Sequence, residues 1–344
     1  MKARYFQSLQ IPELIELEDL IRNNSDYLEA DIVTRIRISE QIILPVYCLR
    51  LGSTAEDCPK IGFFGGFHGL ERIGIQILLV LISSLLERMR WDVSLNDRLS
   101  RIQLIFMPLV NPGGLWNHTR SNPNGIDLMR NSPVIAHDNV PWLAGGHQVS
   151  RRLPWFRGES SMMEPEAQAV CDVVEKYLFA APFSFSLDCH SGFGFRDRVW
   201  FPYAKTKEPF YHLPEMLALK QLFNRSYPYH KNYLMEPQSR SYTTHGDIWD
   251  HLYDQSLKQG NRTFLPLTLE MGSWAWIRSN PLQLFRLSGL FNPLLNHRKN
   301  ATLRQHLILM EFLINAACSW TYWMPHSDAR EALERDALKL WYYR

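Results

Sequence analysis

The chain has 344 residues, 46% of them apolar and 21% charged, with a formal net charge of +2. At about 150 residues per domain this allows one large domain or two modest ones, and the mixture excludes a disordered, collagen-like or coiled-coil chain. The balanced charge leaves no footprint for nucleic acid, and the five cysteines (Cys48, Cys58, Cys171, Cys189, Cys318), never spaced as Cys-x-x-Cys, indicate reduced thiols rather than a disulfide framework or cysteine zinc cluster.

The first ten residues carry positive charge but lead straight into Pro12 and the acidic Glu13, Glu16, Glu18 and Asp19, so no signal peptide is expected. Leu14, Leu17, Leu20 and Ile21 share one face of a helix expected near Pro12 to Asn23. Two stretches rich in β-branched residues follow, Ile32 to Ile38 and Ile42 to Leu51, and read as a half-buried hairpin or sheet edge. The longest apolar stretch, Ile73 to Leu86, is interrupted by Gly74, Gln76, Ser83 and Ser84 and is shorter than the roughly 20 residues that span a bilayer. A cytoplasmic protein with neither membrane nor nucleic acid as partner is expected.

Beyond residue 60 the pattern changes. Short apolar runs without alternation, Ile61 to Phe64, Ile102 to Val110, Phe183 to Leu187 and Phe264 to Leu269, are separated by helical segments near Gly74 to Arg88, Glu166 to Phe179 and Glu215 to Phe223. Such runs mark strands buried on both faces of an α/β sheet. Further helices are expected at about Leu303 to Cys318 and from Asp328, where Asp328-x-x-Glu331 has the form of a capping box. No repeat or linker composition interrupts the chain. It reads as one α/β catalytic domain, residues 1–295, with a helical C-terminal extension, residues 296–344, packed on it.

Each apolar run stops at a polar residue: the first leads through Gly65-Gly66-Phe67 to His68, the second to Asn111-Pro112-Gly113-Gly114, the third to Asp188-Cys189-His190, and the fourth ends on Glu270. In open α/β sheets the ligand crevice lies beyond the carboxyl ends of the strands, so these distant residues reach one edge. His68-Gly-Leu-Glu71 places an imidazole and a carboxylate at a chelating i, i+3 spacing. His212-Leu-Pro-Glu215 repeats the spacing, but with proline between and no buried run before it reads as surface loop. Adding His190 to the first pair gives two imidazoles and a carboxylate, which leave a tetrahedral zinc one open position for water. Glu270 at the same edge supplies a base. Cys189 reads as a buried strand cysteine, and the tryptophans after Glu270 as core, with Trp274 and Trp276 close enough to wall a substrate.

These residues, with Arg120, Gly125-Ile126-Asp127-Leu128-Met129-Arg130-Asn131 and His190-Ser191-Gly192, resemble in order the signatures of zinc carboxypeptidases of the carboxypeptidase A type, over about Gln10 to Asn296. The resemblance implies a mixed, mostly parallel sheet covered by helices on both faces. It implies one zinc ion on His68, Glu71 and His190, with Glu270 as general base and acid and Arg120 on the tetrahedral oxyanion. Arg130 would grip the substrate's terminal carboxylate, flanked by Met129 and Asn131 as substrate-binding residues, and Asp127 would orient the first zinc histidine. Gly246-Asp-Ile-Trp-Asp-His-Leu-Tyr253 is similar to the segment bearing the family's mobile tyrosine, which makes Tyr253 the expected catalytic phenol and roughly Asp254 to Arg262, with Asp254 and Lys258, the expected specificity wall.

One position departs from the pattern. Where the family has Asn-Arg this chain has Met129-Arg130, and a thioether cannot donate the amide's hydrogen bond. The resemblance implies a zinc-dependent carboxypeptidase acting on peptides or acylated amino acids. Met129 keeps open a murein-peptide amidase or an aspartoacylase-like deacylase on the same scaffold. A non-catalytic binding domain would be marked by a lost ligand or base, and His68, Glu71, His190 and Glu270 are all present.

Overall fold

A computed structural model describes residues 11–159, 162–230, 232–260 and 262–343; the first ten residues, read for a signal, lie outside them. The strands are β1 (Glu29–Arg37), β2 (Ile43–Gly52), β3 (Lys60–Gly65), β4 (Gln103–Met107), β5 (Phe183–Ser191), β6 (Arg198–Phe201), β7 (Leu234–Pro237) and β8 (Thr263–Met271). The helices are α1 (Pro12–Asn23), α2 (Arg72–Arg88), α3 (Val93–Leu99), α4 (Pro112–Asn117), α5 (Pro165–Val173), α6 (Leu213–Ser226), α7 (Ile248–Ser256), α8 (Ser273–Ser279), α9 (Asn296–Cys318), α10 (Trp320–Trp323) and α11 (Ser327–Trp341). The strands form one open sheet in the order β1-β2-β4-β3-β5-β8-β6-β7. Its centre, β4-β3-β5-β8, is parallel, while β2 runs against β1 and β4, and β6 runs against β8.

The unalternated apolar runs are the central strands, and every residue of β3, β4 and β5 is buried. Successive side chains go to opposite faces: Phe63 and Phe106 join one apolar cluster, and Phe64, Ile105 and Met107 join the other. Helices cover both clusters, so the sheet is the middle layer of three. The hairpin β1-β2 forms one edge. The segment Glu166 to Phe179 is an α-helix that loosens into a π-turn at Val174–Leu178.

The C-terminal helices pack into the core that the sheet forms. Leu309, Met310, Leu313 and Ala317 of α9 and Ala337 and Trp341 of α11 are buried in the same cluster as Phe63 and Leu187. Trp320 stacks on Phe183 with ring centroids 5.5 Å apart. Arg330 of α11 places Nε 2.8 Å from Glu215 Oε1, which overturns the surface-loop reading of His212-x-x-Glu215: His212 precedes the first residue of α6 and both side chains are buried. Asp328 does not cap α11 either. The helix starts one residue earlier, at Ser327, with no side-chain cap, so Asp328 lies in the first turn, where its negative charge is favourable at the positive end of the helix dipole. Among the described residues no helix is long and apolar enough to cross a membrane.

Candidate active site

The crevice lies at the carboxyl ends of the central strands. His190 is the penultimate residue of β5 and Glu270 that of β8, and the two are register partners on adjacent parallel strands, which brings both to the same edge. His68 and Glu71 leave β3 through a tight loop whose Gly69 lies against Gly114; a Cβ on Gly69 would stand 2.0 Å from the Gly114 carbonyl carbon. Asn111 holds the two loops together, accepting from Gly114 N at 2.7 Å and donating Nδ2 to Phe67 O at 3.0 Å. The Asn-Pro-Gly-Gly signature is therefore a clamp on the His68 loop.

The two imidazoles present their Nδ1 atoms to opposite oxygens of one carboxylate. His68 Nδ1 is 2.9 Å from Glu71 Oε1 and His190 Nδ1 is 3.1 Å from Glu71 Oε2. Their Nε2 atoms are each held from behind, His68 by Asp127 Oδ1 at 3.1 Å and His190 by Asp188 Oδ2 at 2.6 Å. Asp188 Oδ2 also accepts from Trp249 Nε1 of α7 at 2.9 Å. One donor atom each from His68, Glu71 and His190 lie within 4.8 Å of one another, all three residues buried. Two imidazoles with their far nitrogens on carboxylates, plus one carboxylate, form a donor set that fits zinc.

Electrostatics in this pocket are those of buried, crowded charges. Burial opposes ionisation of Glu71, yet His68 and His190 hold its carboxyl far below the usual range. Burial likewise opposes charge on His190, but Asp188 and Glu71 outweigh it and hold the imidazole well above its usual value. Glu270 goes the other way: burial, reinforced by Glu71, pushes it up to about 8 against the pull of His190 and Arg120. Phe193 N donates to Glu270 Oε1 at 2.9 Å and fixes its position.

Arg120 donates Nε to Asp127 Oδ2 at 2.9 Å and Nη1 to Glu71 Oε1 at 3.1 Å. Its Nη2 has no partner among the described residues. A cavity of about 730 Å³ opens over these groups, lined also by Arg130, Met129, Phe193, Trp200, Tyr242 and Thr268. Arg130 is 4% exposed. Its guanidinium donates Nη1 to Met129 O at 3.2 Å and Nε to Ala144 O at 3.4 Å, and has no ion-paired carboxylate among the described residues. Gly246 packs against the Arg130 backbone, where a Cβ would fall 1.8 Å from Arg130 O.

Three sequence expectations are corrected here. Tyr253 is 0% exposed, its hydroxyl 2.8 Å from His212 Nδ1 and its ring packed on Phe210 at 4.4 Å, so it belongs to the core. The phenol in the cleft is Tyr242, which lines the same cavity as Arg130. Burial pushes the Tyr242 hydroxyl up, and Arg130 draws it down. Asn131 faces away, donating to Arg157 O at 3.0 Å and accepting from the Glu164 backbone. Of the stretch Asp254 to Arg262, residue 261 lies outside the described residues; the others lie before the start of β8, none of them lines the cleft, and Asp254 pairs with Lys205. Trp200, Thr268, Gln238 and Ser241 line the cavity in its place.

Trp274 donates Nε1 to Gly192 O at 3.1 Å and backs Phe193, and Trp276 is buried in the core. Asp188 carried a readable signal, because residues two apart on a strand share a face and His190 follows at that spacing. Tyr242 had none beyond being a lone aromatic in a polar loop.

Residues 40–275 match the family described as zinc carboxypeptidase, and the chain belongs to that family. It is 22% identical to Carboxypeptidase SOL1 of Arabidopsis thaliana over 230 residues, 65% of this chain and 42% of that protein. It is 27% identical to Carboxypeptidase B of Helicoverpa zea over 176 residues, 47% of this chain and 40% of that protein. The chain thus spans about two-fifths of the length of these curated relatives. Among solved structures, thrombin-activatable fibrinolysis inhibitor superposes with a TM-score of 0.67 at 18% identity, over 88% of this chain and 72% of that one. Carboxypeptidase A from Helicoverpa armigera superposes with a TM-score of 0.62 at 16% identity, over 88% of this chain and 71% of that one. Both share this fold.

Proposed function

We propose that this chain is a zinc-dependent carboxypeptidase that hydrolyses the last peptide bond of substrates bearing a free terminal carboxylate. The observation that carries the reading is the spacing of functions across one cleft: a His68–Glu71–His190 donor set, Glu270 beside it, and Arg130 buried without a carboxylate partner among the described residues. A bound zinc ion supplies Lewis acidity toward water and the scissile carbonyl.

The chain's own residues do the rest. Asp127 and Asp188 fix the imidazole tautomers from behind, leaving Nδ1 free as the donor atom. Glu270 takes the proton of the attacking water and passes it to the leaving amine. Arg120, tethered through Nε and Nη1, keeps Nη2 available for the developing oxyanion. Arg130 and Tyr242 receive the terminal carboxylate, a planar bidentate match for the guanidinium.

A second reading, an amidase or deacylase on the same scaffold, is favoured by one observation: Met129 lines the cavity beside Arg130 and offers no amide donor. Hydrolysis of an N-blocked dipeptide and of its C-terminal amide separates the two. The carboxypeptidase reading expects kcat/KM for the acid to exceed that for the amide by about a hundredfold, the worth of a buried charge-assisted hydrogen bond. Equal rates refute it, and loss of both on chelation shows metal dependence in either case.

A further inference from the structure

The opposite end of the sheet holds a second cavity, of about 760 Å³. Its floor is the first residue of two neighbouring strands: Lys60 opens β3, Gln103 opens β4, and the two are register partners. Along β3 this floor lies roughly 16 Å from the crevice end, at 3.3 Å per residue. Lys60 is 6% exposed and Gln103 7% exposed, yet neither side chain has a hydrogen-bond or ion-pair partner among the described residues. The stems are buried while the polar ends open into the cavity.

The surroundings do not relieve Lys60. Burial pulls its pKa down and the guanidinium of Arg262 adds to that, while Cys58 and Glu56 act in the other direction. Arg262 stands at the lip with Nη1 on Phe179 O at 2.9 Å, leaving the rest of its fork open. Lys176 lines the same cavity. Glu56 and Asp57 also line it, but both are exposed and neither is ion-paired with Lys60. Those two carboxylates lie on the exposed side, so the inner wall of the cavity presents the Lys60 ammonium and the Gln103 amide with no carboxylate paired to them among the described residues.

We propose that this cavity is a binding site for a small molecule bearing a carboxylate or phosphate group, seated between Lys60 and Arg262 with the Gln103 amide donating to it. The volume is that of a small-ligand pocket, and an oxyanion there supplies the countercharge that Lys60 lacks.

The test is a calorimetric titration of the zinc-loaded full chain with inorganic phosphate and, separately, succinate, at constant ionic strength. The expected result is saturable binding of at least one of them. It weakens tenfold or more in Lys60→Gln and in Arg262→Ala, and persists in Arg130→Gln, with peptide hydrolysis unchanged in the first two variants. Saturation by one probe alone supports the site and fixes which oxyanion it takes. Absence of saturable binding by either probe overturns the proposal. So does binding that survives both Lys60→Gln and Arg262→Ala, or that disappears in Arg130→Gln. Arg262 is exposed, so its variant keeps the test decisive if Lys60→Gln fails to fold.

Discussion

Glu166, in the first turn of α5, is 1% exposed. Each of its carboxyl oxygens is 3.4 Å from Asn122 Nδ2. Asn122 in turn shapes the loop between Arg120 and Asp127, accepting from Ile126 N at 3.0 Å and Asn124 N at 3.1 Å. Burial pushes the Glu166 carboxyl from 4.5 up to about 7, with Asn122 offsetting only part of the shift. The folded chain therefore keeps a proton that the unfolded chain gives up. Below about pH 4.5 both states hold it and the group's full stability is present. As pH rises from there to about 7, the unfolded state ionises alone and stability falls by up to about 1.4 kcal/mol per unit, then levels off. The span amounts to about 3 kcal/mol. Glu166→Gln removes the titration while keeping an acceptor for Asn122, so the variant gains about 3 kcal/mol over the parent between pH 4.5 and pH 8. Urea denaturation of both proteins at the two pH values measures this. A difference between the proteins that does not change with pH refutes the reasoning.

Glu270→Gln keeps the oxygen that accepts from Phe193 N but cannot take a proton, so kcat falls by about 10² to 10⁴ with zinc content intact; steady-state kinetics with elemental analysis checks it, and a near-normal kcat rejects Glu270 as base. Tyr242→Phe removes the hydroxyl beside Arg130 and raises KM about tenfold or more. Tyr253→Phe loses the bond to His212, costing about 1 kcal/mol of stability with kcat/KM within about twofold. The reverse pattern in parallel kinetic and melting measurements returns the phenol's role to Tyr253.

Why the sequence located some of these residues and misplaced others follows from what each kind of pattern encodes. An unalternated apolar run ends where a strand leaves the core, so the residues after Phe64 and Leu187 and at the end of β8 fall at one edge without any tertiary information. Direction around a helix, and distance along it, are set by packing. The segment Gly246 to Tyr253 does serve the site, through Trp249 on Asp188. Four further residues advance the helix by about 6 Å, enough to carry Tyr253 from the cleft to Phe210 and His212. Asn131 follows a buried arginine, but the end of its short 3₁₀ turn aims it at Arg157 O. His212-x-x-Glu215 looked exposed because the residue that pairs with its carboxylate, Arg330, lies 115 positions away on α11, where no local pattern reaches.

The net charge of +2 for the whole chain conceals a local imbalance that has a consequence at Asp188. Glu71, Asp127, Asp188 and Glu270 are buried around two imidazoles, with Arg120 and Arg130 lining the same cleft. With both imidazoles neutral and Glu270 ionised, the forms that a bound cation would favour over the protonated ones, two negative charges are left uncompensated, the charge of one divalent cation; Asp247, pushed up by burial, adds at most one more. Asp188 is the extreme case, since its Oδ1 is buried with no hydrogen-bond partner among the described residues, so its negative charge would serve the field of a bound cation while its Oδ2 orients His190. These two roles are separable. Asp188→Asn keeps an oxygen for His190 Nε2 and Trp249 Nε1, loses the charge and puts an amide NH2 where Oδ1 stands, whereas Asp188→Ala loses both the charge and the acceptor. Zinc affinity, measured by competition with a chromogenic chelator, is therefore expected to fall about tenfold in the first variant and about a hundredfold in the second, the range found for partners of metal-ligating histidines. If both variants bind zinc as the parent does, Asp188 is a strand residue held by Trp249, and the charge of the pocket is not what selects a divalent ion.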